Sequence, residues 1–412
     1  MIKIPELLAP AGNMERLKTA LHFGADAVYL GMREMSLRNF ADNFTLEELQ
    51  EACSYAHTRN KRVYVALNAF ARDHALKELP GLLREIAHAG ADALIVNDPG
   101  VIATARTCTP DMPLHLSTQA NTLNAKSALF WHKQGIQRII LARELSLADV
   151  QYIRENTPAS LELELFVHGA MCVSYSGRCI LSNYIAQRDC YRGECAQPCR
   201  WSYELREKGK DGEYFPIEQD ALGTYILNAR DLNLYSLLPA VVATGAASLK
   251  IEGRMKSIHY VAGVVNAYRM ALDAMQAAYA SGRAYQANPA LEKELEKVSH
   301  RPYSNGFALG EQNGGGEAQA SGGYMQTARM MACVLKYDAT TKIAMLQQRN
   351  KFSEGDVLEI LSPGDIGRCV NVKNLRTDMN EPIASAPNPK QIVFIDCDTH
   401  LCEGDILRKT LD

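Results

Sequence analysis

What this sequence lacks narrows its function first. No apolar run approaches the ~18 residues of a membrane span, which excludes a membrane-crossing helix. Nothing at its start reads as a signal or transit peptide, so a cytoplasmic protein is expected. Neither H-E-x-x-H nor G-x-S-x-G occurs, which removes the usual signatures of zinc peptidases and serine hydrolases. Basic runs are absent too, and a formal net charge of −3 is not that of a nonspecific nucleic-acid binder, because neutralising phosphates takes a basic surface. A local patch can still hold a folded RNA at this charge, although no stretch marks where the RNA would dock.

What is present is an ordinary globular composition, 47% hydrophobic and 22% charged, over 412 residues. That length suits two domains, or one large domain with an appendage. The eleven cysteines are the unusual feature, and an odd number rules out complete internal pairing. Five of them fall in the stretch from Phe166 to Trp201. Cys172 and Cys179 are separated by six residues, Cys195 and Cys199 by three, and Cys190 lies between the pairs. Disulfides belong mainly to secreted proteins, so thiolate ligation of a metal is favoured. Structural zinc normally takes a C-x2-C knuckle on both sides, whereas iron–sulfur clusters accept looser spacing. Spacing alone leaves both metals open. Four ligands complete either site, which makes Cys190 a spare thiol. Cys53 and Cys108 lie in helical segments and read as core residues.

The first three quarters of the chain alternates strands with helices. A unit of helix end, glycine and short apolar strand recurs as FGADAVYLG from Phe23, AGADALIVND from Ala89, QGIQRIILAR from Gln134 and TGAASLKIEG from Thr244. The glycine stands where a helix C-terminus wants a left-handed residue, and the strand after it is apolar on both faces, as in a parallel sheet covered by helices. With Leu7–Ala9, Arg62–Asn68, Leu114–Ser117, Leu161–Val167 and Tyr225–Leu227 there are nine strand candidates, so a (β/α)8 barrel with one peripheral strand is expected. Thr45 and Ser146 open helices in capping-box contexts, and a long Ala-rich helix runs from about Met255 to Ala280, its Met and Tyr stripe facing the core. The division expected is an α/β TIM-type barrel over residues 1–311, holding a cysteine-rich insertion at 168–201. A Gly-rich linker at 312–329 and a small all-β barrel domain at 330–412 follow it.

In such a barrel the reactive groups sit at the C-terminal ends of the strands. There the sequence puts Asn68, Asp98, His115, Ser117, Gln119, Asn121, Arg143, Glu144, His168, Lys250, Glu252 and Arg254. Glu252 and His168 are the candidates for proton transfer. Lys250, Arg254 and Arg143 suit a dicarboxylate, and His115, Gln119 and Asn68 complete the binding set. Arg38 is added on charge alone. The plain alternatives are an interior histidine for His115, a hydrogen-bonding partner of the cysteine site for His168, and a salt-bridged barrel rim for Lys250 to Arg254.

Five stretches carry a resemblance: ELLAPAG (Glu6–Gly12), GADAVYLG (Gly24–Gly31), HLSTQAN (His115–Asn121), FVHGAMCVSYSGRC (Phe166–Cys179) and SLKIEGR (Ser248–Arg254). In this order, over nearly the whole chain, they resemble the peptidase U32 family. The most similar branch hydroxylates the wobble uridine of tRNA with oxygen from prephenate rather than dioxygen. Relatives act on ribosomal RNA or ubiquinone precursors, and the family name records an older assignment as collagenase-like proteases. The resemblance implies that Cys172, Cys179, Cys195 and Cys199 hold an iron–sulfur cluster, of [4Fe-4S] type, while Cys190 has no counterpart in that branch. It implies an oxygen-independent hydroxylase that forms 5-hydroxyuridine at position 34, with tRNA and prephenate as substrates and a redox or cluster-assembly partner. A peptidase, a hydroxylase of another substrate, and a non-enzymatic barrel with a structural metal are the competing readings.

Overall fold

The computed structural model describes residues 3–33, 43–171, 181–186, 188, 196, 198, 218–220, 223–225, 230–310 and 324–411. Eight parallel strands close into a barrel: β1 (Glu6–Pro10), β2 (Ala27–Gly31), β3 (Arg62–Leu67), β4 (Ala93–Val96), β5 (Leu114–Leu116), β6 (Arg138–Ile140), β7 (Glu162–Ala170) and β8 (Ser248–Ile251). Each pairs with the next, and β8 returns to both β7 and β1, which closes the ring. The ninth candidate, Tyr225–Leu227, lies outside the described residues except for Tyr225, which ends a strand, Gly223–Tyr225, paired with Glu218–Asp220 in a two-stranded sheet. A short strand that the sequence did not announce, Asp231–Asn233, runs antiparallel to the end of β7 and carries Tyr303–Ser304 on its other side.

Local signals explain the elements. The glycines of the recurring unit, Gly24, Gly90, Gly135 and Gly245, all have positive φ at helix ends. Thr45 and Ser146 form complete capping boxes with Glu48 and Asp149. The long helix begins at Ile258, capped by the Ser257 side chain, and ends at Ala280. Its Tyr260, Tyr268 and Met275 are buried against the barrel, as their spacing predicts. The phenols do more than pack, since the Tyr260 hydroxyl donates to Glu252 O at 2.9 Å and that of Tyr268 to Val167 O at 2.9 Å. The helix therefore grips the C-terminal ends of β7 and β8. Among the described residues no helix is long and apolar enough to cross a membrane.

From Ala328 onward the chain is all β. Seven antiparallel strands follow the spatial order Asp365–Asn371, Val357–Ser362, Ile406–Thr410, Ala328–Asp338, Ile343–Gln348, Ile392–Asp396 and Lys373–Thr377. The first and last strands of that order are consecutive in the chain, separated by Val372 alone, so the sheet curls until its two edges meet through one residue. The sheet also docks on the barrel. Asn266 of the long helix donates to Ser362 O at 3.0 Å and accepts from Gly364 N at 2.8 Å. Nearby, the fully buried Arg408 pairs with Glu359 at 2.8 Å and with Glu294, while Lys297 bridges the same two carboxylates.

Candidate active site

The barrel interior is polar, which is unusual for a space normally filled by branched aliphatic side chains. Arg138 on β6 reaches across to Glu6 on β1 at 2.6 Å, to Glu162 at 2.7 Å and to Glu164 at 3.2 Å. The Tyr64 hydroxyl donates to Glu6 at 2.8 Å. Burial opposes the charge on Arg138, but Glu164 and Glu6 outweigh it and hold the guanidinium pKa above its ordinary value. Lys250 belongs to this interior network rather than to the rim. It is almost fully buried, with Nζ 3.2 Å from Glu164 Oε1 and 4.2 Å from the centre of the Tyr29 ring. Burial lowers its pKa, with Glu164 pulling the other way. His115 is also interior, edge-on to Tyr64 at 4.8 Å, and burial together with Arg138 and Lys250 holds it neutral.

Above this charged floor lies the mouth. Tyr29 on β2 donates from its hydroxyl to Glu252 Oε2 at 3.0 Å and stands 3.1 Å from Ile251 O. Glu252 and Arg254 follow β8 in a segment wedged between two glycines. A Cβ on Gly12 would collide with the carbonyl oxygen of Arg254, and one on Gly169 with that of Glu252. Gly169 also has φ +110°, so both its conformation and its neighbour demand glycine. These two glycines lie in the ELLAPAG and FVHGA stretches, whose ends thus bracket the SLKIEGR stretch. On the other side of the mouth Asn68 donates to Gln119 at 2.8 Å, and the Ser117 hydroxyl reaches the same oxygen at 3.3 Å.

The remaining candidates lie elsewhere. His168 is buried on the helix side of β7, with Tyr268 and Tyr303 hydroxyls at 3.5 and 3.3 Å from its two ring nitrogens and the Tyr260 ring alongside. Burial lowers its pKa to about 3, so it stays neutral. Arg143 turns from the mouth to donate to Ala170 O at 2.7 Å, its guanidinium 3.9 Å above the Phe166 ring. It borders a small apolar cavity with Leu141, Leu232 and Phe307. Cys172, Cys179, Cys190, Cys195, Cys199 and Arg38 lie outside the described residues. The described chain leads to them at Met171, whose carbonyl accepts from Arg301 at 3.3 Å. A further contact joins the segment after the first cysteine pair to a residue inside the second: Ala196 N donates to the buried Ser182 hydroxyl at 3.0 Å. The six described cysteines are free thiols, with Cys53 pushed up by burial to about 12 and Cys333 to about 11.

Sequence reasoning missed Tyr29, Glu164, Arg138 and Asn97. The signal for the first three was present as charged or phenolic residues alternating within apolar strands, as in Leu161-Glu-Leu-Glu-Leu165.

A closed parallel barrel that gathers a carboxylate, a phenol, amides and a guanidinium at its strand C-termini is a barrel enzyme in its architecture. The particular family follows from comparison: the chain belongs to peptidase family U32, whose model matches residues 12–317, and the model of that family's C-terminal domain matches residues 326–408. The tRNA hydroxylation protein P1 of Bacillus subtilis is 39% identical over 99% of this chain and 95% of its own length. The tRNA hydroxylation protein P of Escherichia coli is 34% identical over 95% of this chain and 93% of its own. The 23S rRNA 5-hydroxycytidine C2501 synthase of Escherichia coli is 35% identical over 66% of this chain and 39% of its own.

Proposed function

We propose that this enzyme is an RNA hydroxylase that converts wobble uridine 34 of tRNA to 5-hydroxyuridine, with prephenate as the hydroxyl donor and a [4Fe-4S] cluster on Cys172, Cys179, Cys195 and Cys199. What carries this reading is the end-to-end similarity to two tRNA hydroxylation proteins, which includes the C-terminal sheet as well as the barrel. In support of the cluster, the Ser182–Ala196 contact ties the segment after Cys179 to the segment after Cys195. Of the described thiols, those of Cys53 and Cys333 are raised by burial and are poor ligands by comparison. When bound, the cluster supplies one-electron chemistry.

The chain's own side chains do the rest. Arg254, at the mouth, suits one carboxylate of prephenate, because guanidinium offers a bidentate fork. Glu252, aimed by Tyr29, is the group placed to accept a proton. Lys250 and Glu164 form the charged floor beneath them. A cytoplasmic setting and a redox or cluster-assembly partner belong to the same reading.

The test is anaerobic purification with iron and sulfide analysis, followed by incubation with unmodified tRNA and 18O-labelled prephenate. Labelled 5-hydroxyuridine in the digested tRNA is expected. Single Cys→Ala changes at the four positions should abolish the brown chromophore, while Cys190→Ala keeps it. A peptidase is the second reading, favoured by the family's description. The one close Cys–His contact among the described residues, Cys402 to His400 at 3.8 Å, sits exposed in the C-terminal sheet region. Digestion of gelatin by protein that leaves tRNA unmodified would move the assignment there.

A further inference from the structure

The mouth divides by charge. Glu252 and Arg254 lie at the β8 end, whereas Asn68, Asn97 and Ser117 at the ends of β3, β4 and β5 are neutral, and the one carboxylate beside them, Asp98, is taken up in capping the following helix through Gly100 N and Val101 N. Register fixes which way these point. Ala66, Ile95 and His115 are partners across β3, β4 and β5, and His115 faces the interior, where it meets Tyr64. Two residues further on, Asn68, Asn97 and Ser117 face the same interior, one level nearer the mouth.

Their hydrogen bonding is incomplete. Asn97 is 5% exposed, yet neither its Oδ1 nor its Nδ2 has a partner. Asn68 donates through Nδ2 to Gln119, which leaves its buried Oδ1 as an acceptor of fixed direction with nothing to accept. An unpaired buried amide costs about 1–3 kcal/mol per group, so two adjacent ones on neighbouring strands call for a ligand or water to complete them.

Resting on the function proposed above, we infer that this neutral arc is a base-reading subsite that takes the N3–H and O4 edge of a uracil ring. The imide N3–H donates to Asn68 Oδ1, and O4 accepts from Asn97 Nδ2. A neutral, planar edge with one donor beside one acceptor matches two amides better than a carboxylate does, since a carboxylate brings only acceptors to the fixed acceptor of Asn68. His115, held neutral one level below, adds no charge that would favour an anion there. With N3 and O4 held by the arc, C6 lies on the far edge of the ring and C5 beside O4, both left uncovered by the two amides. Enzymes that act on a base commonly take it out of the stack and read its Watson–Crick edge in this way.

The test is a two-by-two cycle. An anticodon stem-loop RNA carrying uridine at the target position, and the same RNA carrying 3-methyluridine, are each given to the wild-type holoenzyme and to Asn97→Ala. Hydroxylation is read by mass spectrometry and binding by fluorescence anisotropy. For wild type, 3-methylation should lower kcat/KM by about tenfold or more, the size of one lost base contact. Asn97→Ala should lose a similar factor on uridine, and its further loss on 3-methyluridine should be much smaller, because a methyl group against Asn68 Oδ1 pushes the ring off the arc and already costs the O4 contact to Asn97. Its thermal midpoint should hold or rise, since it removes an unpaired polar group. Asn97→Ser serves if the alanine variant does not fold. Fully independent effects would mean that Asn97 holds a water only and overturn the subsite. Equal wild-type rates on the two RNAs would overturn it while leaving the hydroxylase intact. A wild type that modifies no uridine RNA would overturn the function itself.

Discussion

The hydroxyl of Tyr29, on β2, lies 3.0 Å from Glu252 Oε2 and 3.1 Å from the carbonyl oxygen of Ile251, so one phenol fixes both the carboxylate and the backbone at the end of β8. Tyr29→Phe should lower kcat about tenfold or more with KM nearly unchanged, reflecting the loss of a charge-assisted bond of about 1.5–3 kcal/mol. Glu252→Gln should cost about 10²–10⁴ in kcat, the usual worth of a general base. Steady-state kinetics on both variants checks this, and full activity in Glu252→Gln would remove it from the chemistry.

Lys250 and Arg254 separate by experiment although only four positions apart. Lys250→Ala leaves Glu164 buried with Arg138 as its remaining cation, so the expected loss is about 3 kcal/mol of stability. Arg254→Ala should chiefly raise KM for the donor. Urea unfolding beside donor titration distinguishes them, and a stable, weak-binding Lys250→Ala would return that residue to the mouth.

His168 gives the protein an acid-labile point. Its folded pKa of about 3 lies below the ~6.5 of the unfolded chain, so between these values only the unfolded state takes up the proton. Its contribution is complete above pH ~6.5 and declines as pH falls toward 3, by about 1.4 kcal/mol per pH unit. His259, lowered by burial to about 3, acts in the same direction. His168→Phe should flatten the acid limb of stability measured by urea melts between pH 4 and 6.5. If that variant folds normally but loses hydroxylation, the histidine is catalytic after all.

Gly169→Ala should destabilise more than a typical surface change. The new methyl group meets the Glu252 carbonyl, and the backbone must hold a left-handed conformation as well. A loss above about 2 kcal/mol, with activity falling further than stability explains, is the expected outcome. An unchanged thermal midpoint would show that the β8 segment moves aside easily.

Cleavage between Gln312 and Gly323 should leave the two pieces together. Asn266 with Ser362 and Gly364, Glu294 with Arg408, and Lys297 with Glu359 join the segment before the connection to the C-terminal sheet without needing the connection. A nicked sample should elute as one species at neutral pH and separate only in denaturant. Separation under native conditions would mean that the connection, rather than the interface, holds the sheet in place.

The barrel was legible because helix, glycine and apolar strand recur locally, and each copy carries its own start and stop signals. The mouth was legible only as a set of strand ends. Lys250 illustrates why. Its position after two apolar residues of β8 reads like a rim cation, and only the ring closure that brings Glu164 beside it shows that it lies inside. Arg143 and His168 likewise sit near the right ends but turn toward Ala170 and toward the tyrosines, because rotamer and strand twist are settled by tertiary packing. Asn97 was passed over because an asparagine before Asp98-Pro99 looks like ordinary helix-capping sequence, and Asp98 is indeed the cap.

Val372 has a consequence for how this protein behaves in a crowded solution. A sheet of seven strands ordinarily offers two rows of unmatched amides and carbonyls that can recruit another chain. Here both rims belong to adjacent strands of one chain, and Val372 is itself tied across to Asp356 O at 2.8 Å and Gly355 N at 2.9 Å. At that end of the sheet the two rims stand one residue apart, which leaves less open rim there for a second chain to stack on.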